Sequence, residues 1–368
     1  MTEWYRITNE DEIASPALLI YPDRIEENLR RMVESAGGAD RLRPHVKTHK
    51  MPEVIRLCLR HGIGKFKAAT IAEAEMAAAS GGKDILLAYP LVGPAARRFV
   101  ELVRRFPQVR LRGVVDSDVG IDDLAGAAAD VGIAIETLLD LNVGMDRTGI
   151  APGPEAVRLV RRIAASPGLS FGGLHAYDGH LHDADRDHLV HEVEAAFAPV
   201  WQLRDDLEAA GIAVPLVVAG GTPTSFILAS RGDVEVGAGT TVLWDYGQPT
   251  ISPDLDYLNA AVLLARVVSK PASGRLCLDL GHKAIASEMP HPRLTIFGLE
   301  QATFPLHSEE HLVVETPQAD EIPVGTVLYC LPRHVCPTVA LHEEAVVVRD
   351  GRAAERWQVA ARRRRISI

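Results

Sequence analysis

Short apolar runs alternate with longer amphipathic segments between about residue 42 and residue 245. The runs are nearly continuous in apolar residues, which is typical of parallel strands that are covered on both faces. The segments between them repeat apolar residues every three or four positions, as amphipathic helices do. Eight strands alternating with helices predict an α/β fold, a (β/α)8 TIM-type barrel, in preference to an open doubly wound sheet. The eight runs are RLRPHVK, GKFKAAT, DILLAYP, VRLRGVVD, IETLLDLNVG, FGGLHAYDG, PLVVAGG and VEVGAGTT.

The pattern changes after about residue 250. Turns rich in Gly, Pro and Asp now separate the apolar runs, and helical spacing is nearly absent, which predicts a mostly β domain. We assign residues 23–250 to the barrel and residues 1–22 plus 251–368 to the β-rich domain. The β-rich runs are AAVLLARVVSK, GRLCLDLG, HLVVET, GTVLYCLP and EAVVVRDG.

Composition and charge narrow the class of partner. The formal net charge is −10, which disfavours nucleic acid or an anionic membrane surface as the partner. The basic run Arg362–Arg365 is interpreted as a solvated tail. The N-terminal segment is acidic, unlike a signal peptide, and no apolar run reaches the ~18 residues of a membrane helix. The four cysteines are scattered without a disulfide or zinc spacing, so we expect a cytoplasmic protein.

Barrel enzymes place their reactive groups at the carboxyl ends of the strands, which makes Lys47 a candidate. Residues two apart on a strand share a face, so we expect His45, Lys47 and His49 to point the same way. A buried lysine is costly unless it is paired or neutral, and a neutral amine is the nucleophile of Schiff-base chemistry. A solvated strand end with several basic groups is the alternative interpretation.

Two further patterns carry possible chemistry. The glycine-bearing strand ends AGGTPTS (219–225) and GAGTT (237–241) follow the last two barrel strands, where loops often bind a phosphate. Neither is a GxGxxG or Walker A sequence, and both also suit ordinary tight turns. In the β-rich domain, His334 and Cys336 alternate on one face of an expected extended segment. Two such ligands suit an open transition-metal site, but a turn histidine beside a buried cysteine would look the same.

Taken together, these motifs resemble the fold-type III pyridoxal-phosphate enzymes, and within them the D-threonine aldolase/D-serine dehydratase family. The matching segments follow the family's order along almost the whole chain. The first and last of them are fairly specific. They are LRPHVKTHK (42–50), LNVGMDRTG (141–149), GLHAYDGH (173–180), AGGTPTS, GAGTTVLWDYG (237–247), LDLGHKA (278–284) and PRHVCPTVALHEE (332–344).

The resemblance implies which groups hold the cofactor and the metal. Pyridoxal 5'-phosphate would be attached covalently to Lys47 in the barrel, with Lys50 the less suitable amine. A divalent metal would be held beside it by His334 and Cys336; a thiolate ligand favours zinc, with manganese or magnesium as alternatives. The remaining expected cofactor contacts are Arg147, Tyr177, Gly221, Thr222, Gly239 and Thr240.

The same resemblance implies a lyase acting on D-3-hydroxy amino acids. In D-threonine aldolase, deprotonation of the β-hydroxyl breaks the Cα–Cβ bond. In the D-serine or 3-hydroxyaspartate dehydratases, removal of the Cα proton expels the hydroxyl and leads to a 2-oxo acid and ammonia. Lys47 is a plausible base for that second reaction. Aldolases of the family tend to carry Asp where Cys336 stands, whereas dehydratases carry Cys. Some aldolases have a histidine at the position of Asp178, so Asp178 or His180, two apart on one face, would replace it as hydroxyl base. The overall pattern favours the aldolase slightly.

Two alternatives come from other classes. An amino-acid racemase shares the plan of barrel and β domain but needs no metal, which leaves His334 and Cys336 without a role. A non-catalytic pyridoxal-phosphate-binding protein uses a related barrel but leaves the β-rich part unexplained. The expected partner is a small D-amino acid, and a homodimer is expected by analogy.

Overall fold

The apolar runs fold as predicted into two sets of strands in a computed structural model that describes residues 3–368. Contacts divide the chain into two units. The β unit comprises residues up to Leu29, Thr48–Glu53 and Thr240–Arg362. The barrel unit comprises Arg30–Lys47, Val54–Gly239 and Arg363–Ile368.

Regular elements cover both units. The strands are β1 (Ala17–Ile20), β2 (Lys65–Ala68), β3 (Asp84–Pro90), β4 (Arg110–Val115), β5 (Ile135–Leu141), β6 (Leu169–Ala176), β7 (Val217–Ala219), β8 (Glu235–Val236), β9 (Ala261–Ala272), β10 (Arg275–Leu278), β11 (Leu294–Ile296), β12 (Thr303–His307), β13 (Leu312–Glu315), β14 (Val327–Pro332), β15 (Glu344–Arg349) and β16 (Arg352–Gln358). The helices are α1 (Pro22–Ala36), α2 (Pro52–Arg60), α3 (Ile71–Ala79), α4 (Pro94–Arg105), α5 (Asp118–Ala129), α6 (Pro154–Ala165), α7 (Arg186–Ala209), α8 (Ser225–Ala229), α9 (Gln248–Ile251) and α10 (Val335–Leu341).

The barrel strands β2 to β8 pair in parallel and in chain order. The first predicted strand closes the circle through isolated bridges, Leu42 to Val236 on β8 and His45 to Lys67 on β2. The Lys67 N–H donates to the Pro44 carbonyl over 3.0 Å, and the Arg43 N–H donates to Val236 over 2.9 Å. The prediction of a TIM-type barrel is therefore confirmed, although the first strand is short and irregular.

The barrel interior has three layers. Arg43 bridges to Asp84, a residue on a strand that is not its neighbour, so this ion pair crosses the interior at the amino ends of the strands. Leu86, Val114, Leu138 and Val218 form an apolar layer above it. Polar groups occupy the carboxyl ends, where sequence analysis placed the chemistry.

The β unit contains a nine-stranded sheet in the described residues, ordered β12-β13-β10-β9-β1-β15-β16, with β14 also paired to β9 and β11 paired to β14. The early run PALLIYP supplies β1, which pairs antiparallel with β9 and parallel with β15. This places it in the β-rich sheet rather than in the barrel. The five later apolar runs form β9, β10, β13, β14 and β15, as predicted.

The C-terminal residues pack on the barrel helices. Arg362–Arg365 is exposed, as expected for a solvated run, but Ile368 is buried. The Ser367 N–H donates to Glu75 on α3 over 3.1 Å, and Arg98 on α4 donates to the Ile368 carbonyl over 2.6 Å. In residues 3–368, none of the helices combines the length and the apolar character needed to cross a bilayer.

Candidate active site

Lys47 lies at the carboxyl end of the first barrel strand but not on an extended segment. Val46–Thr48 forms a short 3-10 helix, and Lys50 has a positive φ of 54°. The alternation expected for His45, Lys47 and His49 therefore fails, because it requires an extended backbone. The Lys47 N–H donates to His45 Nδ1 over 3.3 Å, and its side chain is only partly buried. His49 is buried, and burial lowers its pKa to about 3.

A second lysine, Lys67 on β2, was not singled out from the sequence. Its side chain is 2% exposed, and Nζ lies 3.2 Å from His175 Nε2 on β6. His175 Nδ1 lies 2.6 Å from the Asp140 carboxylate on β5. Strands β2 and β6 are not neighbours, so this Asp140–His175–Lys67 line crosses the barrel interior. The three residues are 2–4% exposed.

Electrostatics follow from this burial. Burial, and after it the charge of Lys47, lowers the pKa of Lys67 to about 7. Burial and then the Lys67 charge also lower the pKa of His175. Burial by itself would raise the pKa of Asp140, but His175 outweighs it and holds that pKa below its usual value. The neutral His175 ring then donates from Nδ1 to Asp140 and accepts at Nε2 from Lys67.

Tyr177 gathers three cations around its ring. The ring centroid lies 5.5 Å from Lys47 Nζ, 5.1 Å from Lys67 Nζ and 4.9 Å from the Arg147 guanidinium. An aromatic face attracts cations at such distances. The sequence prediction thus brings Lys47, Arg147 and Tyr177 together, and the structure adds Lys67 to the group.

Asp178 has a structural contact that the sequence did not indicate. Its Oδ1 accepts the Gly221 N–H over 2.7 Å, and its buried Oδ2 has no hydrogen-bond partner within residues 3–368. Burial raises the pKa of Asp178 against the effect of its hydrogen bonds. Gly221 also donates to Thr224 Oγ1 over 3.1 Å, so its N–H is already engaged by the protein. Asp178 therefore orients the turn after β7.

His180 and Asp178 have different surroundings. Strand β6 ends at Ala176, so the two side chains do not share a face as the sequence analysis expected. Asp178 is buried, whereas His180 is exposed. A Cβ atom on Gly144 would lie 3.1 Å from His180 Nε2, which places this histidine against the loop after β5.

The predicted phosphate residues divide between the units. Thr222 is buried in the turn after β7, and Gly239 is buried after β8. Thr240 begins the β unit, where its hydroxyl lies 3.7 Å from Cys336 Sγ. Gly237 has two close neighbours, because a Cβ there would lie 3.0 Å from Lys67 Nζ and 3.1 Å from the Gly220 carbonyl oxygen.

The predicted metal ligands lie at the start of α10. His334 is the N-cap residue and Cys336 is in the first turn, so the expected extended segment is wrong. The Cys336 Sγ lies 3.2 Å from Thr48 Oγ1, and His334 Nδ1 lies 2.5 Å from Glu288. Burial by itself would lower the pKa of His334, but Cys336 and Glu288 raise it to about 9.

Asp245, within the motif GAGTTVLWDYG, fixes this helix start. Its Oδ2 accepts the Val335 N–H over 2.9 Å, and its Oδ1 accepts from Gly247 and Gln248 over 3.1 Å each. Burial raises the pKa of Asp245 to about 6. The carboxylate therefore orients the backbone next to His334, and no spacing in the sequence indicated that contact.

The barrel residues fit pyridoxal phosphate. A phosphorylated aldehyde requires an amine, an aromatic or polar wall and compensation for its negative charge. Lys47 would supply the amine, Tyr177 the wall, and Lys47, Lys67 and Arg147 the positive charge. The unpartnered Oδ2 of Asp178 leaves a buried acceptor for a ligand group.

The metal pair fits an open site. Imidazole and thiolate are ligands of zinc and similar cations. Within residues 3–368, Asp183, His188 and Glu192 form the one group of three potential ligands within 4.8 Å of each other. His334 and Cys336 would supply two ligands of an open site, in which water or substrate completes the coordination.

Comparisons with known proteins agree with this arrangement. The family model for the alanine racemase N-terminal domain matches residues 20–243, and that for a putative serine dehydratase domain matches residues 260–348. The chain is 31% identical to D-threonine aldolase from Arthrobacter sp., over 95% of this chain and 93% of the relative. It is 30% identical to D-threo-3-hydroxyaspartate dehydratase from Delftia sp. strain HT23, over 89% of this chain and 92% of the relative.

Solved structures of the same kinds of enzyme also resemble this chain. The crystal structure of D-threonine aldolase from Filomicrobium marinum matches with a TM-score of 0.89 and 28% identity, over 97% of each chain. A cysteine-to-alanine variant of a D-threo-3-hydroxyaspartate dehydratase, described as metal-free, matches with a TM-score of 0.79 and 25% identity, over 94% of this chain and 97% of that chain.

Proposed function

The chain belongs to the enzyme family that joins an alanine racemase N-terminal domain to a serine dehydratase domain and includes D-threonine aldolase, and from this premise we propose a metal-dependent pyridoxal-phosphate lyase. Its substrates are D-3-hydroxy amino acids, which it cleaves between Cα and Cβ to glycine and an aldehyde. The observation that carries the proposal is the set of Lys47, Lys67 and Arg147 around Tyr177 at the carboxyl ends of the barrel strands.

The barrel residues take distinct roles in this proposal. Lys47 holds the cofactor covalently, and Tyr177 supports it. Thr222 and Gly239 bind the phosphate, whereas Gly221 contributes through its turn because Asp178 occupies its N–H. Bound pyridoxal phosphate supplies an electron sink for the bond that breaks at Cα.

His334 and Cys336 hold the divalent metal, and zinc is the favoured ion. Thr48 and Thr240 hydroxyls lie 3.2 and 3.7 Å from the Cys336 sulfur and orient it. A cation bound there supplies Lewis-acid polarisation of the substrate hydroxyl.

The residue that accepts the hydroxyl proton is His180. Its imidazole is exposed and carries a ring nitrogen that can take a proton from a substrate hydroxyl. Asp178 is a positioning residue, since one carboxylate oxygen is bound to the Gly221 N–H and the group is buried.

A dehydratase that forms a 2-oxo acid and ammonia is the second candidate, favoured by the thiol of Cys336. Product analysis with D-threonine, D-phenylserine, D-serine and D-3-hydroxyaspartate distinguishes the two reactions. Glycine plus an aldehyde supports the aldolase; a 2-oxo acid plus ammonia supports the dehydratase; no turnover of any of these refutes both. Loss of a visible cofactor band in Lys47→Ala, with retention in Lys50→Ala, tests the attachment site.

We further propose that the enzyme is a cytoplasmic homodimer. All four cysteines are free, as expected in a reducing compartment. Light scattering of the purified chain checks the assembly, and a monomer at all concentrations would contradict it.

A further inference from the structure

Lys67 is a buried amine to which the proposed function gives no role beyond charge. It lies in register with His45 on the closing strand and is the residue before the last one of β2. Its Nζ contacts His175 across the barrel interior over 3.2 Å. A lysine that is 2% exposed loses most of its hydration, which penalises its charged form.

Several charged or titratable groups face this amine from the surrounding strands. Three of these groups are bases, two are acids, and one is an aromatic ring. They are Lys47 from the closing strand, Asp140 and Arg147 from β5 and the loop after it, His175 from β6, and Tyr177 and Asp178 from the segment after β6.

Lys47 and Lys67 lie against the same aromatic ring. Lys47 Nζ is 5.5 Å and Lys67 Nζ is 5.1 Å from the centroid of Tyr177. The charge of Lys47 is, after burial, the largest contribution to the low pKa of Lys67, which is about 7. Loss of that charge removes the electrostatic repulsion, so the proton affinity of Lys67 rises.

We propose that Lys67 is the proton acceptor for Lys47, so that the two amines share one proton when Lys47 becomes a nucleophile. The step balances within the pair: one N–H bond breaks on the Lys47 ammonium, its electron pair becomes the lone pair that attacks a carbonyl, and one N–H bond forms on Lys67. The charge of the pair stays the same. The inference rests on the proposed function only in taking the carbonyl to be that of pyridoxal phosphate.

The Asp140–His175–Lys67 line supports both states of Lys67. The His175 Nε2 accepts a hydrogen bond from a lysine amine whether that amine is neutral or charged, because both forms carry N–H donors. The Asp140 carboxylate, 2.6 Å from His175 Nδ1, fixes the ring tautomer and offsets the positive charge. Lys67 therefore gains a proton without moving to solvent.

The first test does not depend on cofactor or activity. Lysine side chains in the cofactor-free full-length protein are labelled with 13C at Cε and followed by NMR as the pH changes. Lys47→Met removes the repulsion, so the Lys67 midpoint rises by roughly one pH unit. Lys83→Met, at an exposed position, is the control and leaves the midpoint unchanged. An unmoved Lys67 midpoint in Lys47→Met overturns the proposal.

The second test measures the rate at which the full-length protein captures added pyridoxal phosphate, from the visible absorption band. Lys67→Met and Lys67→Arg both slow capture at least about tenfold near neutral pH, because neither a thioether nor a guanidinium accepts the proton. Capture at the wild-type rate by Lys67→Arg would mean that the charge alone matters, which overturns the proposal. If the wild-type protein captures no cofactor, the proposed function fails, and the NMR test still decides the coupling of the lysines.

Discussion

Arg43 provides the most direct test of how the barrel is closed. Its guanidinium is 0% exposed and lies 2.8 Å from Asp84 and 2.7 Å from Glu235, which flank it on β3 and β8. It also donates to the Asp84 carbonyl over 3.3 Å. Because Arg43 lies on the irregular closing strand, these ion pairs join that strand to both sides of the interior.

The substitution Arg43→Met keeps an apolar side chain of similar length and removes the charge. Loss of one partner from a buried ion pair costs about 3–5 kcal/mol, because the other charge stays buried. Asp84 and Glu235 are 15% exposed and retain Arg112 and Lys65 as partners, which moderates the cost. We therefore expect the free energy of unfolding to fall by about 3 kcal/mol.

Urea unfolding followed by circular dichroism measures this loss, and hydrogen exchange in peptides that contain β2 to β4 assigns it to the barrel unit. The matched control is Arg110→Met, whose side chain is 59% exposed and pairs with Glu136 over 2.6 Å. Exposed ion pairs contribute about 0–1 kcal/mol, so the control changes stability little. Equal losses in the two variants would refute the reasoning that burial sets the cost.

The pH dependence of the free energy of unfolding tests the same ion pairs in a second way. Burial by itself would raise the pKa of Asp84, but Arg43 and Arg112 hold it below its ordinary value. A depressed carboxyl pKa stabilises the fold above the unfolded-state pKa of about 3.9, and that stability is lost as the pH falls through the folded-state pKa. The difference between wild type and Arg43→Met should therefore narrow in acid; a difference that widens there would contradict the assignment.

Three further substitutions follow from single contacts. Gly237→Ala places a methyl group 3.0 Å from Lys67 Nζ, so it should lower the free energy of unfolding in urea by about 1–3 kcal/mol and slow cofactor capture. The control Gly126→Ala, in open space on α5, should not destabilise the protein. Cys336→Ala should lower the bound metal measured by elemental analysis, while Cys277→Ala should leave it unchanged; equal metal content in both would contradict the ligand assignment. Glu75→Gln should weaken its hydrogen bond from Ser367 by about 1.5–3 kcal/mol and release residues 366–368 to carboxypeptidase, which unchanged protection would refute.

The sequence was sufficient for the barrel strands because each is a nearly continuous apolar run bounded by turns. It was not sufficient for the polar ends of the barrel. Lys65 and Lys67 alternate on β2 and both face the interior, yet Lys65 pairs with Glu235 at one end and Lys67 contacts His175 at the other. Strand alternation alone does not tell these ends apart, although Lys67 is the residue nearer the carboxyl end of its strand.

The errors at the sites have a common physical origin. The prediction that side chains two positions apart share a face assumed an extended backbone. A 3-10 helix instead contains Lys47, and α10 begins between His334 and Cys336. Asp245 was missed because it acts on the backbone of residues that lie 90 positions away in the chain. Contacts of this kind depend on the closed fold rather than on local spacing.

The two ends of the barrel show why one set of charged groups is structural and the other is suited to a ligand. At the amino ends, Arg43, Arg112 and Lys65 are matched by Asp84, Glu136 and Glu235, all within direct ion pairs. At the carboxyl ends, Lys47, Lys67 and Arg147 surround Tyr177, while Asp140 is committed to His175 and Asp178 to the Gly221 N–H. Lys67 is buried, Lys47 is partly buried and Arg147 is exposed, so these three basic groups exceed the two committed carboxylates at a place that a ligand can reach. An anionic ligand at this end removes that excess, and a phosphorylated aldehyde meets both the charge and the amine.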